Sequence, residues 1–273
     1  MTAMGARLAD IARGITDGSL IPYLGPGLLG MVEGGSPVPD STRALAQVLS
    51  GRVPVPGRIR TNVWAAAQYI ESRRHRVTLD RLMADAFRPV PAPTPLHRWL
   101  ATLPGLRLVV DTWYDATLTT ALSTRRDWGL VQGANRVRIG RAEWVRYFAA
   151  DGSEVATDAV GGWDLVVYKP HGGAWPAGDV LISDSDYVEA LTELDIQSPI
   201  PAVVQDVRTD RGFVFLGCRF HDQILRGYAR QIMKRSAGPH FALLPSDLTA
   251  NERRFLDEQG IEPLFVGLDD LPT

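Results

Sequence analysis

The sequence predicts an α/β fold: a doubly wound, mostly parallel, Rossmann-like sheet with a small β-hairpin insertion. Short apolar runs rich in β-branched and aromatic residues alternate with longer segments of helical periodicity, which is typical of strand–helix–strand units. Three of these runs stop at glycine-containing turns, which begin at Gly25, Lys169 and Gly217. A buried parallel strand leaves its sheet in this way, and ligands bind at that edge of open α/β sheets.

Strands are predicted where apolar residues run together without helical spacing. They lie at residues 20–24, 106–110, 164–168, 213–216, 241–244 and 264–267. Runs this short suit buried strands better than core helices, which need ten or more residues.

Helices are predicted where apolar residues recur three or four positions apart, as Leu8, Ile11 and Ile15 do. They lie near residues 5–17, 41–49, 62–74, 78–87, 116–122, 184–194, 199–208, 222–235 and 249–259, and one more begins at Pro95. Asp40 or Ser41 can cap the second of these helices, and a proline is well suited to a first helical turn.

Residues 128–160 interrupt this alternation. Their apolar residues fall in short runs broken by Gly133, Gly140 and the pair Asp151-Gly152, which favours a β-hairpin excursion over a crossover helix. No internal repeat is evident. A single domain spanning residues 1–273, with residues 128–160 as an insertion, is therefore the simplest organisation.

Composition excludes several classes of protein. Apolar residues make up 45% and charged residues 22% of the chain, and the net charge of −2 gives no reason to expect binding to nucleic acid or a membrane surface. The single cysteine, Cys218, excludes an intrachain disulfide and a thiolate zinc site, which suits a reducing cytoplasm. No stretch is apolar enough to span a membrane, and no signal peptide is evident. We expect a cytoplasmic protein without a bound metal.

Two glycine turns are candidates for holding phosphate. Gly25-Pro26-Gly27 follows the first strand, and Gly217-Cys218-Arg219 follows the fourth. Glycine lets the backbone approach a pyrophosphate, and an arginine can reach phosphate or the edge of a base. The alternative is that the glycines serve tight turns, and Cys218 is expected to pack as a small apolar residue.

Polar side chains at two other strand ends could complete a site. Residues 111–115, which include Thr112 and Asp115, can hold ribose, although Asp115 can equally cap the next helix. His171 lies between a proline and two glycines, so we expect it to be exposed in the cleft, where a neutral imidazole can accept a proton. Its alternative is a structural histidine that bonds a loop carbonyl.

Taken in this order, the segments resemble the sirtuin-like NAD-binding superfamily, in particular its compact bacterial branch that hydrolyses NAD. Gly25-Pro26-Gly27 resembles the Gly-Ala-Gly turn of that family, and Val38-Pro39-Asp40 resembles its Ile-Pro-Asp-like segment, with Arg43 near an expected arginine. Residues 111–115 resemble its Thr-Thr-Asn-Tyr-Asp strand end, and His171-Gly172 resembles its His-Gly pair. The segment from Leu216 to Asp222 is similar to its glycine turn before a helix.

The resemblance implies a site for NAD, with His171 as general base and Asp115 placing the ribose. The residues that would bind NAD are Gly25, Pro26, Gly27, Pro39, Asp40, Arg43, Thr112, Trp113, Tyr114, Gly217, Cys218, Arg219 and Asp222. Trp113 stands where the bacterial hydrolases carry an asparagine that helps hydrolysis.

Two functions follow from this resemblance. One is an enzyme that cleaves the nicotinamide–ribose bond of NAD, as a glycohydrolase or by ADP-ribose transfer. The alternative is a subunit that binds NAD or ADP-ribose without hydrolysis and acts through a partner. A regulatory protein partner and self-association are both left open.

Overall fold

In a computed structural model, which describes residues 3–134, 144–188 and 200–273, the chain forms one nine-stranded sheet flanked by helices. The strands are β1 Leu20–Leu24, β2 Leu108–Asp111, β3 Trp128–Gly133, β4 Val145–Ala149, β5 Glu154–Val155, β6 Leu165–Lys169, β7 Gly212–Leu216, β8 His240–Leu243 and β9 Ile261–Leu264. Their spatial order is β5-β4-β3-β6-β2-β1-β7-β8-β9. The seven strands from β3 to β9 in that order are parallel, which confirms the Rossmann-like prediction.

The helices lie where the apolar periodicity predicts them. They are α1 Ala3–Thr16, α2 Thr42–Arg52, α3 Val63–Arg74, α4 Arg76–Ala86, α5 Pro95–Thr102, α6 Thr117–Ala121, α7 Ala202–Arg208, α8 Gln223–Met233 and α9 Ala250–Gln259. Ser41 caps α2 by accepting a hydrogen bond from Ala44 N, and Pro95 occupies the first turn of α5. Residues 184–188 are helical, and the rest of the helix predicted at 184–194 lies outside the described residues.

Each central strand contributes side chains to two cores, one on each face of the sheet. Tyr23 of β1 and Phe215 of β7 lie in the core shared with helices α2, α3, α4 and α8. Leu24 and Leu216, the next residues along the same strands, lie in the core shared with α1, α5 and α6. Since side chains alternate across a strand, a sheet covered on both faces needs continuously apolar strands, and these strands are apolar throughout.

Two features of the sheet differ from the prediction. The last strand is Ile261–Leu264, whereas the sequence suggests residues 264–267. Pro263 obscures this strand in the sequence, but β9 is the edge strand, where a missing amide donor is tolerated. The segment 128–160 contains the predicted antiparallel hairpin of β3 and β4, and β3 also pairs in parallel with β6, so the hairpin extends the main sheet.

The strand order reverses between β1 and β7. The chain passes from β1 to β2 on one side, and β7, β8 and β9 follow on the other. Because parallel strands end at the same edge, the loops after β1 and β7 meet there and leave a crevice.

Candidate functional site

A cavity of 160 Å³ lies at the reversal point, at the carboxyl ends of β1 and β7. Its lining residues are Tyr23, Gly25, Pro26, Gly27, Asp40, Ser41, Thr42, Thr112, Gly217, Cys218, Arg219, Phe220, His221 and Leu225. A neighbouring, more open crevice of 640 Å³ shares the loop residues Gly217, Cys218 and Arg219 and extends past the ends of β8 and β9 to Phe265. The fold thus places a cavity where ligands bind in doubly wound sheets.

The two glycine turns pack directly against each other. Gly25 N donates to Leu216 O at 2.9 Å, and Gly27 N donates to Gly217 O at 2.9 Å. A Cβ on Gly25 would lie 2.5 Å from Gly217 O, so only glycine permits this approach. The amides of both glycines are therefore bonded within the protein, and Pro26 has no amide hydrogen. Any phosphate in the cavity would need other donors.

Polar groups that the sequence analysis did not assign to ligand binding also line the cavity. His221 has an exposed ring whose Nε2 lies 3.4 Å from Thr42 Oγ1, and Ser41 caps α2 beside them. The sequence contains a usable signal for these residues, since Ser41 and Thr42 begin a helix that follows the first glycine turn. Hydroxyls and imidazoles at a helix start can bind an anion.

Arg219 lines the cavity, but its guanidinium group is already paired. Its Nε lies 2.9 Å from Oε1 of Glu252, whose side chain is fully buried, and its Nη1 lies 3.2 Å from Asp247 Oδ1. Burial opposes ionisation of Glu252, but the Arg219 guanidinium and two hydrogen bonds from Thr249 together outweigh it and lower the pKa of this carboxyl to about 2. Arg219 thus ties the loop after β7 to the start of α9.

Of three further predicted ligand residues, two lie outside the cavity lining and one lies in the cavity wall. Asp222 caps α8 by accepting from Ile224 N at 2.8 Å, and Arg43 lies exposed on the first turn of α2. Cys218 lies in the cavity wall, where it donates to Tyr23 O at 3.4 Å, and burial raises the pKa of its thiol. The expected packing of Cys218 is confirmed.

Trp113 is a core residue. Its Nε1 donates to Pro39 O at 2.7 Å, and its ring packs against Phe87 and Tyr114 at centroid distances of 5.8 Å and 5.1 Å. The indole thereby fixes the Pro39 segment beside the cavity without lining the cavity itself. The resemblance placed Trp113, Tyr114 and Pro39 against the ligand, whereas here they support the wall behind it.

Asp115 takes the alternative role that the sequence offered. Its carboxylate is buried and accepts a hydrogen bond from Thr117 N at 2.8 Å, which organises the start of α6. The carboxylate does not line the cavity. Its backbone carbonyl accepts from Lys169 Nζ at 3.0 Å.

Lys169 and Asp111 form a buried ion pair that the sequence analysis did not predict. Lys169 Nζ lies 2.6 Å from Asp111 Oδ2, and the lysine side chain is 1% exposed. Burial raises the pKa of Asp111 to about 6, although the ammonium group opposes this shift. The sequence signal that could have predicted this pair is a lysine and an aspartate at the ends of two strands, β6 and β2, that are parallel neighbours in the sheet. The pair joins the two loops that follow these strands.

His171 is buried, which corrects the expectation of an exposed ring. The residue is 2% exposed, its Nδ1 lies 3.1 Å from the Tyr187 hydroxyl, and its ring packs on Tyr228 at 4.5 Å between centroids. Within the described residues, its Nε2 has no hydrogen-bond partner. The Gly172 turn places the ring beneath α8 in the same core as Tyr23 and Cys218, so it lies inside the protein.

Helix α8 lies over both the histidine and the cavity. Leu225 lines the cavity, and Tyr228, three residues further along the same helix, contacts the His171 ring. Residues three apart share a helix face. The cavity and the buried imidazole are therefore neighbours under one helix.

The burial of His171 predicts acid sensitivity. Desolvation, reinforced by Lys169, lowers its pKa from 6.5 to about 3. Between these values the unfolded chain binds a proton that the folded protein does not, so stability falls as pH decreases from 6.5 towards 3. The contribution is about 1.4 kcal/mol per pH unit across that window.

We expect His171→Gln to flatten this slope. The measurement is the free energy of unfolding in urea at several pH values between 6.5 and 4.5. His97 is also buried, with a pKa lowered to about 4, so part of the slope remains in the variant. An unchanged slope would mean that His171 is protonated equally in both states.

The doubly wound sheet and its edge cavity define a Rossmann-like protein, and comparison with known families identifies the family. A family model described as a SIR2-like domain matches residues 107–264, which is more than half of the chain. The chain belongs to this family. The match runs from β2 to the end of β9 and does not include the Gly25 turn. A search of curated proteins found no match.

Two further findings concern metals and membranes. No group of three or more histidine, cysteine, aspartate or glutamate side chains within residues 3–134, 144–188 and 200–273 could hold a metal ion. In the same ranges, no helix combines the length and apolar character required to cross a bilayer.

Proposed function

We propose that this SIR2-like protein binds NAD at the carboxyl edge of its sheet and cleaves the nicotinamide–ribose bond, by hydrolysis or by ADP-ribose transfer. The observation that carries the proposal is the buried, unbonded Nε2 of His171, whose ring packs on Tyr228, one turn along α8 from the cavity residue Leu225. An unpaired buried nitrogen costs stability, so a functional role is a reason for its presence. Membership of the family supports NAD as the nucleotide.

The chemistry requires a group that accepts one proton. Water or another acceptor attacks C1′ of the ribose, the C1′–N bond breaks, and its electron pair goes to the nicotinamide nitrogen. The proton released from the acceptor passes to His171 Nε2 and then to solvent. Burial keeps His171 neutral in the closed form by lowering its pKa, and hydration of the ring on opening would return the pKa towards 6.5, where an imidazole is an effective base.

The cavities suggest how the dinucleotide is arranged. One ring with its sugar would occupy the 160 Å³ cavity, and the rest of the molecule would extend into the 640 Å³ crevice next to it. Both cavities border the 217–219 turn, so a dinucleotide can cross from one to the other there. The diphosphate would meet Ser41, Thr42 and His221, since the amides of Gly25 and Gly27 are already bonded.

Access to His171 requires movement of α8. Tyr228 covers the imidazole, so a ribose can reach Nε2 only when this contact opens. We propose that nucleotide in the cavity, which contacts Leu225 of the same helix, favours the open form.

Purified protein incubated with NAD tests the proposal by the release of nicotinamide. We expect release by the wild type and a loss of about 100-fold or more in His171→Gln, the range for removing a general base. His240→Gln is the matched control, because His240 is the first residue of β8 and lies at the amino ends of the parallel strands, away from the cavity at their carboxyl ends. Equal release by wild type and His171→Gln would remove His171 as the base.

A second candidate function is binding of NAD or ADP-ribose without turnover. Trp113, which stands where the resemblance expects the asparagine of the bacterial hydrolases, has no side-chain amide to orient water, and its one side-chain donor is used by Pro39 O. Saturable NAD binding by calorimetry without nicotinamide release would favour this function. The protein would then act through a regulatory partner or by self-association, in the cytoplasm of a bacterial cell.

A further inference from the structure

Buried hydrogen bonds connect a loop carbonyl, two tyrosines and His171. The hydroxyls of Tyr114 and Tyr187 both donate to Leu181 O, each at 2.7 Å. The Tyr187 oxygen also lies 3.1 Å from His171 Nδ1. Both tyrosines lie in one core, and the buried His171 ring packs against Tyr187 there.

Counting the hydroxyl protons of Tyr114 and Tyr187 assigns the donor and acceptor of each of these hydrogen bonds. A carbonyl oxygen only accepts, and each phenol has one proton to give. The 2.7 Å distances place both phenol protons on Leu181 O, so the Tyr187 oxygen can only accept from His171. His171 Nδ1 therefore carries the hydrogen, and a neutral imidazole then has a bare lone pair on Nε2.

The carbonyl that sets this direction is itself held in place. Leu181 N donates to the His171 backbone carbonyl at 2.9 Å, so the same residue binds the histidine on its main chain. Asp186 accepts from Ile182 N at 2.9 Å, and Arg76 donates both to Asp186 at 2.7 Å and to Val180 O at 2.6 Å. The 180–182 segment is thus anchored on both sides of Leu181.

We propose that Tyr187 is a positioning residue that holds His171 in the tautomer with Nε2 unprotonated, an inference that rests on the proposed function for its catalytic meaning. A base oriented by a third group is the arrangement that activates histidines in other enzymes. Tyr187 fixes which nitrogen is basic and, together with Tyr228, whose ring contacts both His171 and Tyr187, also fixes the ring plane.

The test uses nitrogen NMR of the ¹⁵N-labelled full chain, in which two-bond couplings to the ring protons distinguish the protonated nitrogen. We expect wild-type His171 to carry its proton on Nδ1 at pH 7. Tyr187→Phe removes the acceptor while keeping the ring, and we expect a mixture of both tautomers. Tyr114→Phe is the matched control, since the Tyr114 hydroxyl reaches Leu181 O and lies 3.4 Å from the Tyr187 hydroxyl but does not contact His171. Tyr187 keeps its own 2.7 Å bond to Leu181 O in this variant, so the tautomer should be unchanged.

Activity gives a second readout. We expect Tyr187→Phe to lower kcat for nicotinamide release by roughly tenfold with little change in KM, the effect of losing one orienting hydrogen bond. A wild-type His171 protonated on Nε2, or a Tyr187→Phe spectrum identical to that of the wild type, would overturn the inference. If no variant releases nicotinamide, the proposed function fails while the NMR result still decides the role of Tyr187.

Discussion

Replacing Lys169 by methionine is expected to lower the free energy of unfolding by about 3–5 kcal/mol at pH 7. Methionine keeps most of the side-chain volume but removes the ammonium group, which lies 2.6 Å from Asp111 Oδ2. Asp111 is then buried without its partner and must either stay charged or take up a proton, since burial already raises its pKa to about 6 with the ammonium present. The Asp115 carbonyl also loses its donor. Breaking a buried pair on one side costs more than the pair contributes, because the remaining charge has lost water and partner together.

Urea unfolding of Lys169→Met beside the double variant Lys169→Met/Asp111→Asn separates the charge from the packing. The double variant removes both charges, and the oxygen of the new amide side chain can still accept from Trp113 N, as the Asp111 carboxylate does at 3.2 Å. We expect it to recover more than half of the stability lost in the single variant. A single variant within 1 kcal/mol of the wild type, on the scale of an exposed pair, would contradict the role assigned to this ion pair.

The second large effect is expected for Gly217→Ala. Gly217 has φ +67°, and a Cβ there would lie 2.5 Å from Leu28 N, a backbone atom that cannot rotate away. The strain of a positive φ and the forced separation of the two turns together are expected to cost about 2–4 kcal/mol in the free energy of unfolding.

Two other glycines provide matched controls for Gly217→Ala. Gly34 has φ +77°, and no atom lies within 4 Å of the position that a Cβ would take there, so Gly34→Ala measures the backbone strain alone, about 1 kcal/mol. Gly30 has open space and no positive φ, so Gly30→Ala should change stability by less than about 0.5 kcal/mol. If Gly217→Ala costs no more than Gly34→Ala, the contact between the two turns does not stabilise the protein.

These glycine variants also separate two interpretations of the turns. If the glycines serve packing, Gly217→Ala loses stability, and its affinity for NAD falls only to the extent that displacement of the cavity wall disturbs the site. If they cradle phosphate, affinity is lost while the free energy of unfolding is nearly unchanged. The hydrogen bonds from Gly25 N and Gly27 N to the β7 turn favour the first interpretation.

Much of the fold can be predicted from the sequence because its signals are local. The continuously apolar runs at 20–24 and 213–216 can be satisfied only as strands buried on both faces, and each stops at a glycine. The carboxyl ends of parallel strands lie together, so the sequence also places Gly25, His171 and Gly217 at that end of the sheet. The sequence predicts the edge strand three residues later than its observed position, Ile261–Leu264, because Pro263 weakens the local signal.

The sequence by itself determined the parallel sheet, its ligand-binding edge and the residue types gathered there. Only the tertiary structure decided which polar groups are already bonded, because hydrogen-bond partners come from residues distant in the chain. The carbonyls of Leu216 and Gly217 accept hydrogen bonds from the amides of Gly25 and Gly27, and the Pro39 carbonyl accepts one from the Trp113 indole. Tyr187 and Tyr228 pack against the His171 ring. The exposure of a side chain, and which of its donors and acceptors remain unpaired, depend on packing across the whole sheet. No local sequence pattern encodes that packing.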